Sequence, residues 1–313
     1  MPMTGIPGLK NRMAARISLI LLIIFTFISC HPKQILRLFA PAAPQKPSSV
    51  KIGLALGGGG ARGFAEIGVL RVLERENIPI SHVAGTSVGS MIGALYCDAG
   101  SVVDLEYHAE TIEKDDVLDV HILSLLKGPG LIKGDKMEEF LRNNLRHKAI
   151  EDLPIPLAIV ATDLMTGQKK VFENGNIETA VHASCAIPGI FQPVRIGERT
   201  YVDGGMSDPV PVDVLKEKGM DIVIAVAIPP ETPQEQPQKA VEIFKHSMNV
   251  LFSRITEYML KDTDVVIWPK CPNVSLKDFS QREELIVAGE AAATEAIPRI
   301  RELMEKKGKG RTS

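Results

Sequence analysis

The chain has 313 residues, 45% hydrophobic and 24% charged, with 36 Lys and Arg against 38 Asp and Glu. These fractions are those of a globular protein and exclude a mostly disordered or collagen-like chain. A formal charge of −2 provides no whole-chain field for nucleic acid, and the length suits one large α/β domain or two small ones.

Residues 1–16 carry Lys10, Arg12 and Arg16 and no acid, and residues 17–29 (ISLILLIIFTFIS) carry no charge. A spanning helix needs about 20 apolar residues, so a basic segment before this shorter run reads as a secretory signal over 1–30. Cys30, after Phe27-Ile28-Ser29, resembles the lipidated cysteine of a bacterial lipobox. The expected location is the bacterial cell envelope, as a membrane-anchored lipoprotein. An uncleaved anchor, or a start codon upstream of a cytoplasmic domain, is the alternative. Pro32, Pro41, Pro44 and Pro47 deny 31–49 a helix or central strand, which makes it a tether.

Val50–Leu56 is a short apolar run bounded by glycines and reads as a buried strand. After Gly57–Gly60, apolar residues at 64, 67, 70 and 73 mark one face of a helix over 64–77. His82-Val83-Ala84 ends a second strand, Gly85–Gly89 turns, and 90–100 is a second helix. Two strand–loop–helix units in succession predict an α/β fold with a mostly parallel central sheet and helices on both faces.

Further strands are expected at 157–162, 221–228 and 264–268, with antiparallel additions at 169–172 and 194–202. Helices are expected at 101–113, 134–147, 176–185, 211–219, 240–262 and 283–307. Residues 50–228 form the core, 229–304 complete it through a polar insert at 229–238, and 305–313 form a fraying tail. An apolar stripe at Val241, Phe244, Met248, Leu251, Ile255 and Met259 reads as a helix docked on the sheet, with a lipid-facing cap as the alternative. Cys97, Cys185 and Cys271 include no C-x-x-C pair and read as small apolar thiols. No metal cluster is visible, so no metal, no cofactor and calcium independence are expected.

Three motifs carry the chemistry. Gly58-Gly59-Gly60-Ala61-Arg62-Gly63 fits G-x-G-x-x-G between strand and helix. A dinucleotide site would want an acid at the end of the next strand, but Glu74 and Glu76 fall within the first helix. What remains is a loop of free amides at a helix N-terminus, able to bind an anion such as the oxyanion of acyl transfer. Gly85-Thr86-Ser87-Val88-Gly89 is a G-x-S-x-G nucleophile elbow. Its glycines let strand and helix approach while Ser87 is thrust outward.

Ser87 needs a base. His31 lies in the tether and His82 in the strand before the elbow. His108, His121, His147 and His182 precede the best acid, and His246 follows it on a predicted helix. Tyr201-Val202-Asp203-Gly204-Gly205 offers the alternative, an Asp ending a strand beside two glycines.

At this point the sequence resembles the patatin-like phospholipases, on GGGARG at 58–63, GTSVG at 85–89, DGG at 203–205 and AIPGIFQP at 186–193. The resemblance covers about residues 50–228. It implies a Ser–Asp dyad, with Ser87 as nucleophile and Asp203 as general base. It implies an oxyanion hole at the amides of Gly58, Gly59 and Gly60, with Arg62 lending field support or pairing a carboxylate. Gly63, Gly85, Gly89, Gly204 and Gly205 shape the loops. The implied activity is hydrolysis of lipid carboxylic esters at a membrane surface. An acyltransferase on the same dyad and a nucleotide-binding oxidoreductase are the alternatives.

Overall fold

The computed structural model describes residues 50–112, 132–230, 236–271, 274 and 278–309. The signal segment, Cys30, the tether and His121 lie outside the described residues.

Among the described residues eight strands form one sheet: β1 (Ile52–Leu56), β2 (Ile80–Thr86), β3 (Leu157–Asp163), β4 (Lys169–Phe172), β5 (Val194–Ile196), β6 (Arg199–Asp203), β7 (Ile222–Val226) and β8 (Val265–Ile267). The order is β5-β6-β3-β2-β1-β7-β8, with β4 also paired to β3. Strands β3, β2, β1, β7 and β8 run parallel, whereas β4, β5 and β6 are antiparallel additions. The expected 194–202 strand is two short strands, because Gly197 at φ 62° turns the chain between them.

One detail of register positions the site. β4 pairs with β3 at Ile159–Thr162, and both β2 and β6 pair with residues in that stretch. A strand has two edges, so β2 and β6 share the edge that β4 leaves. They meet there head to head: Thr86 pairs with Val160, and Asp203 pairs with Ala161.

Eight helices accompany the sheet among the described residues: α1 (Phe64–Arg75), α2 (Val88–Ala99), α3 (Val102–Thr111), α4 (Asp135–Asn144), α5 (Ile177–Cys185), α6 (Val212–Glu217), α7 (Ala240–Met259) and α8 (Arg282–Lys309). Strand alternation divides the core by size. Ile52, Leu54, Leu56 and Ile159 face one side, in a cluster with Leu70 of α1, Ile92 of α2, Val181 of α5 and Leu285 of α8. Ala55, Ala84, Ala158 and Ala225 face the other and meet Val212 and Leu215 of α6. Each large aliphatic side chain so enclosed contributes about 1.5–3 kcal/mol.

α1 and α8 cross in backbone contact. A Cβ at Gly68 would stand 1.9 Å from the Ile286 carbonyl oxygen, and one at Gly289 would stand 1.8 Å from that of Ala65. α8 also runs on to Lys309, where the sequence predicts a tail from 305; Lys306, Lys307 and Lys309 in its last turn suit the negative end of a helix dipole.

α7 departs from expectation more sharply. Phe244 is 67% exposed and Leu251 51% exposed, so the stripe is not buried on the sheet. Its neighbours Ile243, Val250 and Tyr258 are exposed as well, while Thr256 and the following Leu260 are buried.

Gly289→Ala forces the two helices apart and is expected to cost about 1–3 kcal/mol. The check is urea denaturation, with a lower midpoint at unchanged slope.

Candidate active site

The elbow forms where β2 ends and α2 begins. Ser87 holds φ 54° and ψ −127°, a left-handed conformation that costs a non-glycine residue about 1–3 kcal/mol. The surroundings enforce it. A Cβ at Gly85 would lie 2.5 Å from the Gly89 carbonyl oxygen, and one at Gly89 would lie 2.4 Å from that of Leu56. The Ser87 amide donates to Ser184 Oγ at 2.9 Å, and Ser90 Oγ donates to the Ser87 carbonyl at 2.6 Å.

Ser87 Oγ donates to Asp203 Oδ2 at 2.7 Å, although 116 residues separate the two. The other carboxylate oxygen, Oδ1, accepts from the Gly205 amide at 2.7 Å. The main chain of Asp203 is held on both sides, its amide by the Ala186 carbonyl at 3.0 Å and its carbonyl by Thr162 Oγ1 at 2.9 Å. A Cβ at Gly204 would stand 2.2 Å from the Val160 carbonyl oxygen, so only glycine lets the turn close against β3. Burial raises the Asp203 carboxyl to about 6, against the two hydrogen bonds that favour its ionised form.

The glycine loop lies against the elbow. A Cβ at Gly58 would stand 3.3 Å from that of Ser87, and one at Gly63 would stand 2.6 Å from a Val88 methyl. The amides differ from expectation. The Gly58 N–H is engaged by the Pro209 carbonyl at 3.0 Å, and the Gly57 N–H by that of Val226 at 3.1 Å. Gly59, the N-cap of a 3-10 helix, and Gly60, its first residue, keep theirs clear of backbone acceptors among the described residues. Of the three expected donors, Gly58 is therefore already engaged. Arg62 is buried and its Nη1 donates to the Pro229 carbonyl. Its guanidinium braces the loop against the exit of β7, an anchoring role the motif did not reveal.

A cavity of about 930 Å3, counted to its open mouth, begins at Ser87. Its walls are apolar: Phe64 and Met91 near the glycine loop and elbow, then Leu95, Leu105, Phe140 and Phe191. His108 also lines it, and burial lowers its pKa, which favours the neutral ring. Cys185 lies beside Ser87, but burial pushes its thiol up, which leaves it a poor nucleophile. Three other histidines of the described residues go elsewhere. His147 Nδ1 is 2.8 Å from Asp98, His182 Nδ1 is 2.8 Å from Glu138, and burial holds His82 down at about 4.

Four residues of the site escaped sequence reasoning. Ser184, Ser90 and Thr162 carry main-chain groups of the two central residues, and lone hydroxyls have no spacing signal. Glu66 of α1 is fully enclosed, neither carboxylate oxygen has a partner at normal hydrogen-bond geometry among the described residues, and burial raises its pKa well above the ordinary value against the opposing pull of the Gly57 amide. Two residues from Phe64, Glu66 lies off the 64, 67, 70 and 73 face, so the helical period gave no hint of its burial.

A serine just past the carboxyl end of a parallel strand is hydrogen-bonded to an aspartate that ends an antiparallel strand, beside a glycine loop on an α/β scaffold. The patatin-like phospholipase family model matches residues 54–216, and the chain belongs to that family. An NTE family protein of Mycobacterium tuberculosis is 36% identical over 191 residues, covering 60% of this chain and 52% of its own. Patatin-like phospholipase domain-containing protein 6 of Homo sapiens is 33% identical over 181 residues, covering 56% of this chain and 13% of its own. The chain thus spans about half the length of the mycobacterial relative. Among solved structures, VipD from Legionella pneumophila aligns with TM-score 0.46 and 14% identity over 83% of this chain and 67% of that one.

Because a buried acid with a raised pKa binds its proton more tightly folded than unfolded, Glu66 weakens the fold as pH rises above its unfolded value. Glu66→Gln removes that proton linkage. Its melting temperature relative to wild type is expected to climb from pH 4 to pH 8, as read by paired thermal melts.

Proposed function

We propose that the protein is a serine acyl hydrolase of lipid carboxylic esters, working through an acyl-enzyme. The reading rests on one observation: the 2.7 Å hydrogen bond from Ser87 to a buried Asp203 at the mouth of an apolar cavity. A hydroxyl with a carboxylate acceptor is a nucleophile with its base in place. The cavity gives the acyl chain of a lipid somewhere to go.

In the proposed reaction Ser87 Oγ bonds to the ester carbonyl carbon as its proton passes to Asp203 Oδ2. The carbonyl oxygen becomes an oxyanion against the Gly59 and Gly60 amides, with the N-terminus of α2 adding positive potential. The C–O bond to the alcohol breaks, and the leaving oxygen takes the proton from Asp203. Water then gives a proton to Asp203 as it attacks the acyl-enzyme carbonyl, the bond from that carbon to Ser87 Oγ breaks, Oγ takes the proton back from Asp203, and the fatty acid leaves. A carboxyl near 6 suits both halves, since it is ionised at neutral pH yet accepts a proton more readily than an exposed Asp.

The dinucleotide reading has no comparable support. Ser87 stands against Gly58, where a pyrophosphate would need to approach the loop. Attachment to a membrane is part of the proposal, supported by the basic and apolar leader with Cys30. No helix among the described residues is long and apolar enough to cross a membrane.

Ser87→Ala and Asp203→Asn are each expected to lower kcat/KM on a p-nitrophenyl ester by at least about 10³-fold while the protein stays folded. A fluorophosphonate should label wild type at Ser87. Near-normal turnover in either variant, or label mapped to another residue, defeats the proposal. Product analysis with a competing alcohol separates hydrolysis from acyl transfer.

The acid limb of kcat/KM should include the ionisation of Asp203 near pH 6, because the protonated carboxyl cannot take the Ser87 proton. A profile still flat at pH 4.5 would exclude Asp203 as the base.

A further inference from the structure

Asp208 sits on the turn that follows Asp203 and is fully buried. Its main chain is tied to the site twice. Its amide donates to the Gly204 carbonyl at 2.8 Å, and its carbonyl accepts from Thr86 Oγ1 at 2.8 Å. The next carbonyl, that of Pro209, accepts from the Gly58 amide at 3.0 Å. One dipeptide therefore joins the loop that bears Asp203, the residue before Ser87 and the glycine loop.

The side chain of Asp208 anchors that dipeptide. Its Oδ2 accepts from Lys169 Nζ at 3.0 Å, and Lys169 also donates to Asp213 Oδ2 at 2.5 Å. Lys169 belongs to β4, on the opposite edge of β3 from β2 and β6, and Asp213 belongs to α6. The other oxygen, Asp208 Oδ1, is buried with no hydrogen-bond partner among the described residues. A carboxylate so enclosed depends on its cation. Burial pushes Asp208 up to about 7, the facing Asp213 adds to that, and Lys169 opposes both.

We propose that Lys169 and Asp208 are positioning residues for acyl transfer: their ion pair clamps the 204–209 turn and so sets where Asp203, Ser87 and the glycine loop stand relative to one another. The inference rests on the acyl-hydrolase reading above. Neither side chain touches the reacting atoms. An ion pair that merely held the fold would cost stability and leave the turnover of folded protein unchanged, so the two roles part in kinetics.

The test measures kcat and KM on p-nitrophenyl butyrate for the full-length chain as wild type, Lys169→Met, Lys169→Arg and Asp208→Asn, each checked for folding by circular dichroism. Lys169→Met and Asp208→Asn are expected to lose about 10–100-fold in kcat with KM within about 2-fold, the mark of misaligned groups rather than weakened binding. Lys169→Arg should recover most of the loss, because it restores a cation to Asp208. A folded Lys169→Met or Asp208→Asn with kcat within about 2-fold of wild type overturns the proposal, as does an Arg variant no better than Met. If Lys169→Met does not fold, Asp208→Asn, close to isosteric, decides alone. A wild type that neither cleaves the ester nor takes label at Ser87 removes the acyl-hydrolase reading, and the inference falls with it. Active wild type beside indifferent variants sinks the inference alone.

Discussion

Strand β3 accepts two partners end to end on one of its edges. β2 arrives parallel and stops at Val160, while β6 arrives antiparallel and stops at Ala161. Those two residues are separated by about 3.3 Å of strand rise, so the chain leaving β2 and the chain leaving β6 must turn away at one point. Ser87 and Asp203 are the first residue past one strand and the last of the other. Their 2.7 Å hydrogen bond is thus set by sheet register more than by any attraction between the side chains. Val160 completes the arrangement: its carbonyl accepts from Ser184 Oγ, which holds the Ser87 amide.

The parts that were legible in sequence depended on short-range patterns. The β1 and β2 units, with their glycine loop and elbow, follow from periodicity and from glycines whose Cβ atoms would collide with backbone. The antiparallel strands were visible from turn residues such as Gly167 and Gly197, both at positive φ. Burial of the central sheet was legible for the same reason, since β1, β3 and β7 are largely continuous apolar runs.

What escaped was long-range or depended on saturation of donors. Nothing around Gly58 reveals that its amide is already taken by Pro209, because that acceptor lies on a separate loop. Ser184 and Asp208 act through hydrogen bonds to residues distant in the chain, which have no sequence period. α7 was misread for a different reason. Its apolar residues extend around the helix, with Ile243, Val250 and Tyr258 beside the stripe, so a helical period existed without specifying which face, if any, would be covered.

The left-handed backbone of Ser87 has a consequence for how this protein can change over time. A glycine there would relax the elbow and strengthen the fold, yet it would delete the hydroxyl. Selection for robustness and selection for turnover pull in opposite directions at this one position. A library sorted only for heat tolerance would therefore drift toward sturdy, inert proteins.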